Sequence, residues 1–252
     1  MRLLAPLGLA ACLAGCVTGE TVQFRTSNPQ QQALMRDGQP ALVSRQKNSL
    51  VLVRPAGRQI KTGGRPVFVV GIYNLSKGPV EFRVADVEVA QIYNEQSFPM
   101  SVVTYEMLVQ EEKNRQFAAA VLTGVAAAGN AYSASRAGYG NYTATTTGPR
   151  GTYTTTGTYY NPTAAAVAQG NAAAQNDAMI ASTIERGQIN MATLEQSVIK
   201  DNTLLPGEWY GGQLHLSPPT NPPSGGDEKS YSITLLVGGE RHIIDVSQGP
   251  AK

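Results

Sequence analysis

The side chains that could carry acid–base or metal chemistry are few, and the pattern around them keeps them apart. His215 and His242 are the only histidines among the 252 residues, and both fall in runs that alternate like β-strands. Asp245 follows His242 by three positions, a spacing that puts the two side chains on opposite faces of a strand. A metal site or a Ser–His–Asp triad needs convergent groups. Both histidines are therefore interpreted as structural.

Acidic and glycine residues give no stronger indication of catalysis. Four glutamates in helical segments have Lys or Arg nearby, which is typical of a solvated helix face; they are Glu111, Glu112, Glu185 and Glu195. Gly138 and Gly140 lack the preceding strand and the later glycine of a dinucleotide-binding loop. Lys plus Arg number 20 against 18 Asp plus Glu, without a basic cluster among aromatics, so nucleic-acid binding has little support. We expect a non-enzymatic protein with no metal, cofactor or small-molecule substrate.

Cys16 is the one side chain with clear chemistry, because of the segment before it. Arg2 supplies a positive charge, and residues 3–13 form an apolar run too short to span a bilayer, as in a secretory signal peptide. The sequence Leu13-Ala14-Gly15-Cys16 resembles the lipobox of bacterial lipoproteins. This resemblance implies cleavage before Cys16 and its acylation, and Val17 in place of Asp implies sorting to the outer membrane. An ordinary signal peptide with an unrelated Cys is the alternative.

Cleavage at this site would remove residues 1–15, including Cys12, as a lipoprotein signal peptide. The mature chain would keep only Cys16, which acylation blocks, so no disulfide is expected. Residues 16–48 are interpreted as the lipidated amino terminus and a polar tether. Within this tether, an Asn cap, a following Pro and a final Gly predict about two turns of helix over residues 28–38.

The sequence predicts one β domain built from two segments, residues 49–104 and 203–248. Short runs rich in Val, Ile, Phe and Tyr are separated by turns of Gly, Pro and Asn, and Gly238-Gly239 predicts a tight hairpin. The strand count, about seven or eight, suits an antiparallel β-sandwich. The succession of an apolar strand, an Asn-Leu-Ser turn and a Leu-Pro-Gly-Glu turn resembles immunoglobulin-like domains of bacterial envelope proteins. The resemblance implies the fold and no functional residue.

Residues 105–202 are interpreted as a long α-helical hairpin inserted between the strands of this sandwich, which makes the fold class α+β. Apolar and small residues recur at spacings of three and four along each arm: Ala118, Leu122, Val125, Gly129 and Tyr132, then Ile180, Ile184, Gly187, Met191, Leu194 and Val198. We expect these two stripes to pack against each other. A membrane-spanning first arm is the less favoured alternative, because its apolar stretch over residues 117–128 is shorter than the roughly twenty residues required.

Residues 138–162 join the two arms and are rich in Gly, Thr and Tyr. Their two halves mirror each other around residues 148–151, as the strands of a β-hairpin would. A disordered tip is the favoured interpretation, because Thr and Gly bury little apolar surface. The other interpretation is an interaction tip, in which five tyrosines supply aromatic contacts: Tyr139, Tyr142, Tyr153, Tyr159 and Tyr160.

The sequence therefore predicts a non-enzymatic lipoprotein, anchored to the bacterial outer membrane and facing the periplasm, that acts as a binding or assembly component of the cell envelope. The expected partners are the membrane, through acyl chains on Cys16, and another envelope protein or a second copy of the chain. The alternative is a self-assembling or pore-forming envelope protein that uses the helical hairpin and the Tyr/Thr segment.

Overall fold

The computed structural model describes residues 19–36, 38–220 and 228–250, which belong to two compact units. The two ends of the chain, Met1–Thr104 and Val198–Lys252, form one unit, and Tyr105–Ser197 forms the other. We call them the β domain and the hairpin unit. The predicted signal peptide and the lipidation site Cys16 lie outside the described residues.

The chain alternates between β-strands and two long helices. In chain order the elements are β1 (Gly19–Arg25), β2 (Gln31–Arg36), β3 (Gln39–Arg45), β4 (Ser49–Pro55), β5 (Ile60–Lys61), β6 (Val67–Asn74), β7 (Val80–Phe82), β8 (Glu88–Tyr93), β9 (Gln96–Met100), β10 (Val102–Val103), α1 (Tyr105–Arg136), β11 (Tyr139–Gly148), β12 (Gly151–Tyr160), α2 (Pro162–Ser197), β13 (Asn202–Leu204), β14 (Trp209–Leu216), β15 (Lys229–Val237) and β16 (Glu240–Pro250). A short 3-10 helix, Val84–Asp86, lies between β7 and β8.

Two antiparallel sheets make up the β domain. One has the order β13-β7-β15-β16-β1-β5, with β8 paired to β15 and β9 paired to β8, and the other has the order β10-β14-β6-β4-β3-β2. The predicted tight hairpin between the last two strands is confirmed, and Gly238 and Gly239 turn it with φ values of +56° and +83°. These angles favour glycine, because other residues are strained in this region.

Both sheets contribute side chains to one apolar core, which confirms the predicted sandwich. Buried and partly exposed residues alternate along β4, β6 and β15, as strands with one face on a core require. Phe68 in the six-stranded sheet is fully buried, and its ring centroid lies 6.2 Å from Phe24 and 6.3 Å from Tyr231 in the other sheet. These aromatic contacts hold the two inner faces together.

The predicted tether and its short helix are wrong, because the described part of residues 16–48 belongs to the sandwich. β1 pairs with β16 and β5, and β2, β3 and β4 follow one another in the second sheet. The Asn28 side chain accepts a hydrogen bond from the Gln30 N–H at 3.1 Å, and its carbonyl accepts one from Gln31. Asn-Pro therefore closes a turn before β2 instead of capping a helix.

Strands on either side of the hairpin unit share the same sheets, so the helical hairpin is inserted into one domain as predicted. β14 lies between β10 and β6, and β7 lies between β13 and β15. The β domain resumes at Val198, earlier than the expected residue 203. Ile199 is already in the core at 2% exposure, and Val198 forms a β-bridge with Gln213.

A buried charged cluster connects β1 to β15 and β16. Lys229 Nζ donates to both carboxylate oxygens of Glu20, at 2.7 and 2.9 Å, and Gln248 Nε2 donates to the same carboxylate at 2.5 Å. The Tyr231 hydroxyl donates to Gln248 Oε1 at 3.0 Å. Burial, with the nearby charge of Glu20, raises the pKa of Tyr231 far above its ordinary value. Each charge is thus matched by a partner in the core.

Candidate interaction surface

Polar and small side chains fill the interface between α1 and α2. Polar residues recur every seven positions in both helices: Gln116, Thr123 and Asn130 in α1, and Asn176, Thr183 and Asn190 in α2. The Thr123 and Thr183 hydroxyl oxygens are 3.2 Å apart, and Asn130 Nδ2 donates to Asn176 Oδ1 at 2.9 Å. Seven residues correspond to about two helical turns, so each set forms one line along its helix. These two lines face each other across the antiparallel pair.

Glu112 extends this polar interface near the start of α1. Its carboxylate accepts hydrogen bonds from Arg115 at 2.8 Å, Gln116 at 3.0 Å and Asn190 at 3.3 Å. Burial alone would raise the pKa of Glu112, but these hydrogen bonds outweigh it and hold the pKa below its ordinary value. Gln116 also donates to the Gly187 carbonyl at 3.1 Å, and a Cβ at Gly187 would lie 2.9 Å from the Gln116 side chain.

The stripes predicted to pack against each other lie mostly on the outside of the helix pair. Leu122 is 69% exposed and Val125 is 66% exposed, and Ile180 and Ile184 are also exposed. Of the predicted second stripe, Gly187 and Val198 are buried, and Met191 and Leu194 are half-buried. The predicted periodicity is present and the predicted face of α2 is correct in part, but the predicted face of α1 is wrong, because hydrogen bonding between polar side chains decides which faces meet.

The outer face of α1 is a continuous apolar surface within the described hairpin unit. We define it by its exposed side chains Phe117, Val121, Leu122, Val125 and Tyr132. Residues 116–135 contain no Asp, Glu, Lys or Arg, and a helix of about twenty residues is about 30 Å long. By length and composition α1 could cross a membrane, and 6% of its apolar window is buried. Over residues 116–135, α1 therefore turns polar side chains towards α2 and apolar side chains outward, the reverse of an ordinary surface helix.

The Gly/Thr/Tyr segment forms a regular two-stranded β-hairpin, so the favoured interpretation as a disordered tip is wrong. β11 and β12 pair from Tyr139 opposite Tyr160 to Gly148 opposite Gly151. This register confirms the mirrored halves, with Pro149 and Arg150 in the turn. Thr and Tyr favour strands, and their cross-strand pairs stabilise the sheet.

The hairpin has two chemically different faces, because side chains alternate along each strand. The Thr face carries Asn141, Thr143, Thr145, Thr147, Thr152, Thr154, Thr156 and Thr158, with Tyr139 and Tyr160 at its base. The Tyr face carries Gly140, Tyr142, Ala144, Thr146, Tyr153, Thr155, Gly157 and Tyr159. One face therefore presents hydroxyl groups and the other presents aromatic rings and small residues.

All five tyrosines predicted to make contacts are exposed on this hairpin. The structure brings two of them together, with the ring centroids of Tyr139 and Tyr160 5.0 Å apart. On the Tyr face, the rings of Tyr142 and Tyr159 lie over the glycines opposite them in the partner strand, where a Cβ would come within 2.6 Å and 2.5 Å. That the tyrosines bind a partner stays a prediction.

The outer edges of the hairpin are unpaired in the described chain, because β11 and β12 form a sheet of two strands only. Neither strand contains Asp, Glu, Lys, Arg or Pro, and the one charged residue, Arg150, is in the turn. Natural proteins usually protect exposed strand edges with charged residues, Pro, bulges or a covering segment. Here two ten-residue edges have none of the sequence-based protections.

His242 is enclosed in the β domain rather than placed at a cleft. Its Nδ1 lies 2.9 Å from Ser44 Oγ, and its Nε2 lies 2.8 Å from Ser49 Oγ. Ser49 also donates to the Glu240 carboxylate. Burial lowers the pKa of His242 to about 4, so the ring is neutral at physiological pH. His242, Ser44 and Ser49 are all buried, so these hydrogen bonds support the fold rather than a reaction.

The described residues were searched for clusters that could bind a metal ion and for surface depressions. Among residues 19–36, 38–220 and 228–250, no group of three or more His, Cys, Asp or Glu side chains could bind a metal ion. A surface depression of about 690 Å³ in the β domain is lined by Glu81, Phe82, Arg83, Asp201, Asn202 and Thr203. In this depression the Arg83 guanidinium nitrogen lies 3.5 Å from a carboxylate oxygen of Glu81, and the Asp201 carboxylate accepts a hydrogen bond from the Val84 N–H. These charged groups therefore already have partners.

Protein-family models, curated proteins and solved structures were compared with the chain, and none matched. The immunoglobulin-like resemblance therefore remains a resemblance of turn and strand pattern. Sequence reasoning missed the polar interface of the helix pair and, with it, the exposure of the outer face of α1. The signal was present as the seven-residue spacing of polar residues, which an apolar-residue search does not detect.

Proposed function

We propose that the chain is a non-enzymatic lipoprotein of the bacterial outer membrane, facing the periplasm, that binds or assembles envelope components through its hairpin unit. One observation carries the binding role: over residues 116–135, α1 turns polar side chains towards α2 and apolar side chains outward. An exterior of that kind stays favourable only where something apolar covers it.

The size of the outer face of α1 supports a binding role. Phe117 is 73% exposed, and Leu122 and Val125 are exposed to a similar extent. Fully burying one such side chain contributes roughly 1.5–3 kcal/mol. Several of them on one helix face would therefore supply a substantial share of the free energy of a specific complex, after the losses of freedom on association are subtracted.

The anchoring part of the proposal rests on Leu13-Ala14-Gly15-Cys16 and is tested by substitution. Cys16→Ala should release the protein from the outer-membrane fraction, because several acyl chains account for stable attachment. Cys12→Ala is the matched control, since Cys12 lies in the predicted leader and should leave the distribution unchanged. Recovery of the Cys16→Ala protein in the outer membrane at the wild-type level would overturn anchoring.

Orientation is tested by adding protease to intact cells and to cells with a permeabilised outer membrane. The proposal expects protection in intact cells and cleavage after permeabilisation. Cleavage in intact cells would place the folded part on the cell exterior and would contradict the periplasmic orientation.

The binding role is tested by the size of the complex extracted in mild detergent. Replacing Leu122 and Val125 by Asn should reduce the size of the wild-type complex, because polar side chains weaken apolar association. Ser133→Ala, on the exposed surface of the same helix, is the control and should leave the complex intact. A complex of unchanged size in the double variant would contradict a role for this face.

A self-assembling or pore-forming envelope protein is the second candidate. The unpaired, uncharged edges of β11 and β12 favour it specifically, because such edges are suited to pairing between chains. Extraction as a strictly monomeric protein would count against this candidate.

A further inference from the structure

We infer that the partner of the β-hairpin is a second copy of this chain, with β12 of one copy pairing antiparallel with β11 of the next. This inference deepens the proposed assembly role and rests on it, but it does not depend on acylation of Cys16. The contact would be made by backbone hydrogen bonds along two ten-residue edges.

Both outer edges of the β-hairpin carry backbone groups that no other strand uses. Hydrogen-bonded and non-hydrogen-bonded pairs alternate along an antiparallel ladder, so about five residues on each strand turn their N–H and C=O groups outward. Within the described residues these groups meet no other strand of the chain. A two-stranded sheet alone is marginally stable in water, and additional strands stabilise it.

The two edges match each other in register. Inside one hairpin, Thr145 opposes Thr154, Thr143 opposes Thr156 and Thr147 opposes Thr152. When two copies lie side by side with their turns level, β11 of one copy meets β12 of its neighbour with the same opposing residues. Cross-strand pairs that are formed within each chain are therefore repeated between chains.

Both faces of the hairpin continue across such a contact. Tyr142 opposes Gly157 and Tyr159 opposes Gly140 within the hairpin, and the level arrangement repeats these pairs between copies. The combined sheet would keep one Thr face and one Tyr face throughout.

Charge also favours a second copy. Residues 137–149 and 151–176 contain no charged side chain, so adjacent hairpins bring no like charges together along the strands. Arg150 is in the turn, where water can solvate it. Because each contact uses two different edges, a pair of chains still has one free β11 edge and one free β12 edge, and further copies can add until a ring closes.

Lipid alone is a poorer occupant of these edges. Hydrocarbon offers no hydrogen bonds to an open strand edge, so a bilayer around a single hairpin would leave its outward N–H and C=O groups unsatisfied. Pairing between copies satisfies them both in water and at a membrane. The second copy is therefore the occupant that accounts for the backbone as well as the side chains.

The test mixes two single-cysteine forms of the full chain in the same cells. One tagged form carries Thr145→Cys and the other, with a different tag, carries Thr154→Cys, so each chain has one engineered thiol and cannot close a disulfide within its hairpin. Membranes are treated with a mild oxidant, and cross-linked chains are separated by size and identified by their tags. Chains without an engineered cysteine control for the thiol of Cys16.

The level register predicts a mixed Thr145→Cys/Thr154→Cys dimer in several-fold excess over dimers of either form alone. A disulfide needs Cα atoms within about 7 Å. The control pair Thr145→Cys with Thr158→Cys is displaced by four residues, about 13 Å along the strand, and should not cross-link. Equal cross-linking of both pairs, or no mixed dimer, would overturn the inference.

Native mass spectrometry of the wild-type protein in mild detergent gives a second readout, for which the inference expects several copies. A complex that contains one copy with other proteins, and no register-specific disulfide, would overturn self-pairing and leave the proposed binding role intact. A single chain free of any partner would overturn both.

Discussion

The pH dependence of unfolding follows from the surroundings of His242. The ring is held between two serine hydroxyls in the core, and burial lowers its pKa from 6.5 to about 4. In the unfolded chain the same ring is protonated below its ordinary pKa. Acid therefore favours the unfolded chain, because His242 binds a proton at a higher pH in the unfolded chain than in the folded protein.

The magnitude is set by the distance between the two pKa values. Because one pKa unit corresponds to about 1.4 kcal/mol, a change from 6.5 to about 4 corresponds to roughly 3 kcal/mol. Since the pKa in the folded protein is the lower one, this stabilisation is complete above about pH 6.5. It is lost progressively as the pH falls towards about 4, and below that value the contribution of His242 levels off.

Urea unfolding followed by circular dichroism at a series of pH values between 7.5 and 4 measures this effect. His242→Gln keeps a polar side chain but removes the titration, so the free energy of unfolding should fall less steeply with acid in the variant. Ionisable groups common to both proteins contribute equally and cancel in the difference. A wild-type slope equal to that of His242→Gln would refute the assignment of the low pKa to this buried ring.

Three further predictions concern stability and modularity. Lys229→Met should lower the free energy of unfolding, measured in urea, by about 3–5 kcal/mol, because it leaves the Glu20 carboxylate buried without its cation. Adding Glu20→Gln to this variant should recover most of that loss. Asn130→Leu should lower the free energy of unfolding by about 1–3 kcal/mol, because it leaves Asn176 in α2 without this hydrogen bond. Amide hydrogen exchange should become faster in both helices, and unchanged exchange would contradict this prediction. Replacing residues 106–197 by a Gly/Ser linker should leave a β domain that unfolds in one cooperative thermal transition. The reason is that the two ends of the insertion lie close together, since the Tyr105 hydroxyl at the start of α1 donates a hydrogen bond to Glu195 in the last turn of α2. Loss of that transition would show that the helices are needed for the core.

The sandwich could be predicted because the buried positions of most of its strands are occupied by apolar residues that alternate along the sequence. β6 and β15 alternate between buried and partly exposed side chains, and Gly238-Gly239 identifies the turn between the last two strands. β1, β2 and β3 were missed because polar residues flank and interrupt their short apolar runs. In β1, Glu20 is buried through its ion pair with Lys229, a long-range contact that no local pattern shows.

The two helices show a different limit of sequence reasoning. Their length and their seven-residue repeat are local properties, and both can be derived from the sequence. Which face of α1 meets α2 depends on hydrogen bonds between residues far apart in the chain, such as Thr123 with Thr183. Hydrophobicity alone selected Leu122 and its neighbours, which the structure exposes.

For the candidate contact residues, the sequence located the tyrosines but not their arrangement. The mirrored halves were readable because each strand repeats Thr and Tyr around residues 148–151. The separation into a Thr face and a Tyr face requires the register, which is established only once Gly148 is known to oppose Gly151.

Inclusion of β1 in the sandwich changes how a lipid-anchored form would move. β1 begins at Gly19, three residues after Cys16, and three extended residues span no more than about 11 Å. A chain acylated at Cys16 would therefore diffuse with its β domain close to the membrane, in two dimensions rather than three. Confinement to such a thin layer raises the effective concentration of neighbouring copies. Attraction between individual chains would then give more complete assembly on the membrane than in solution.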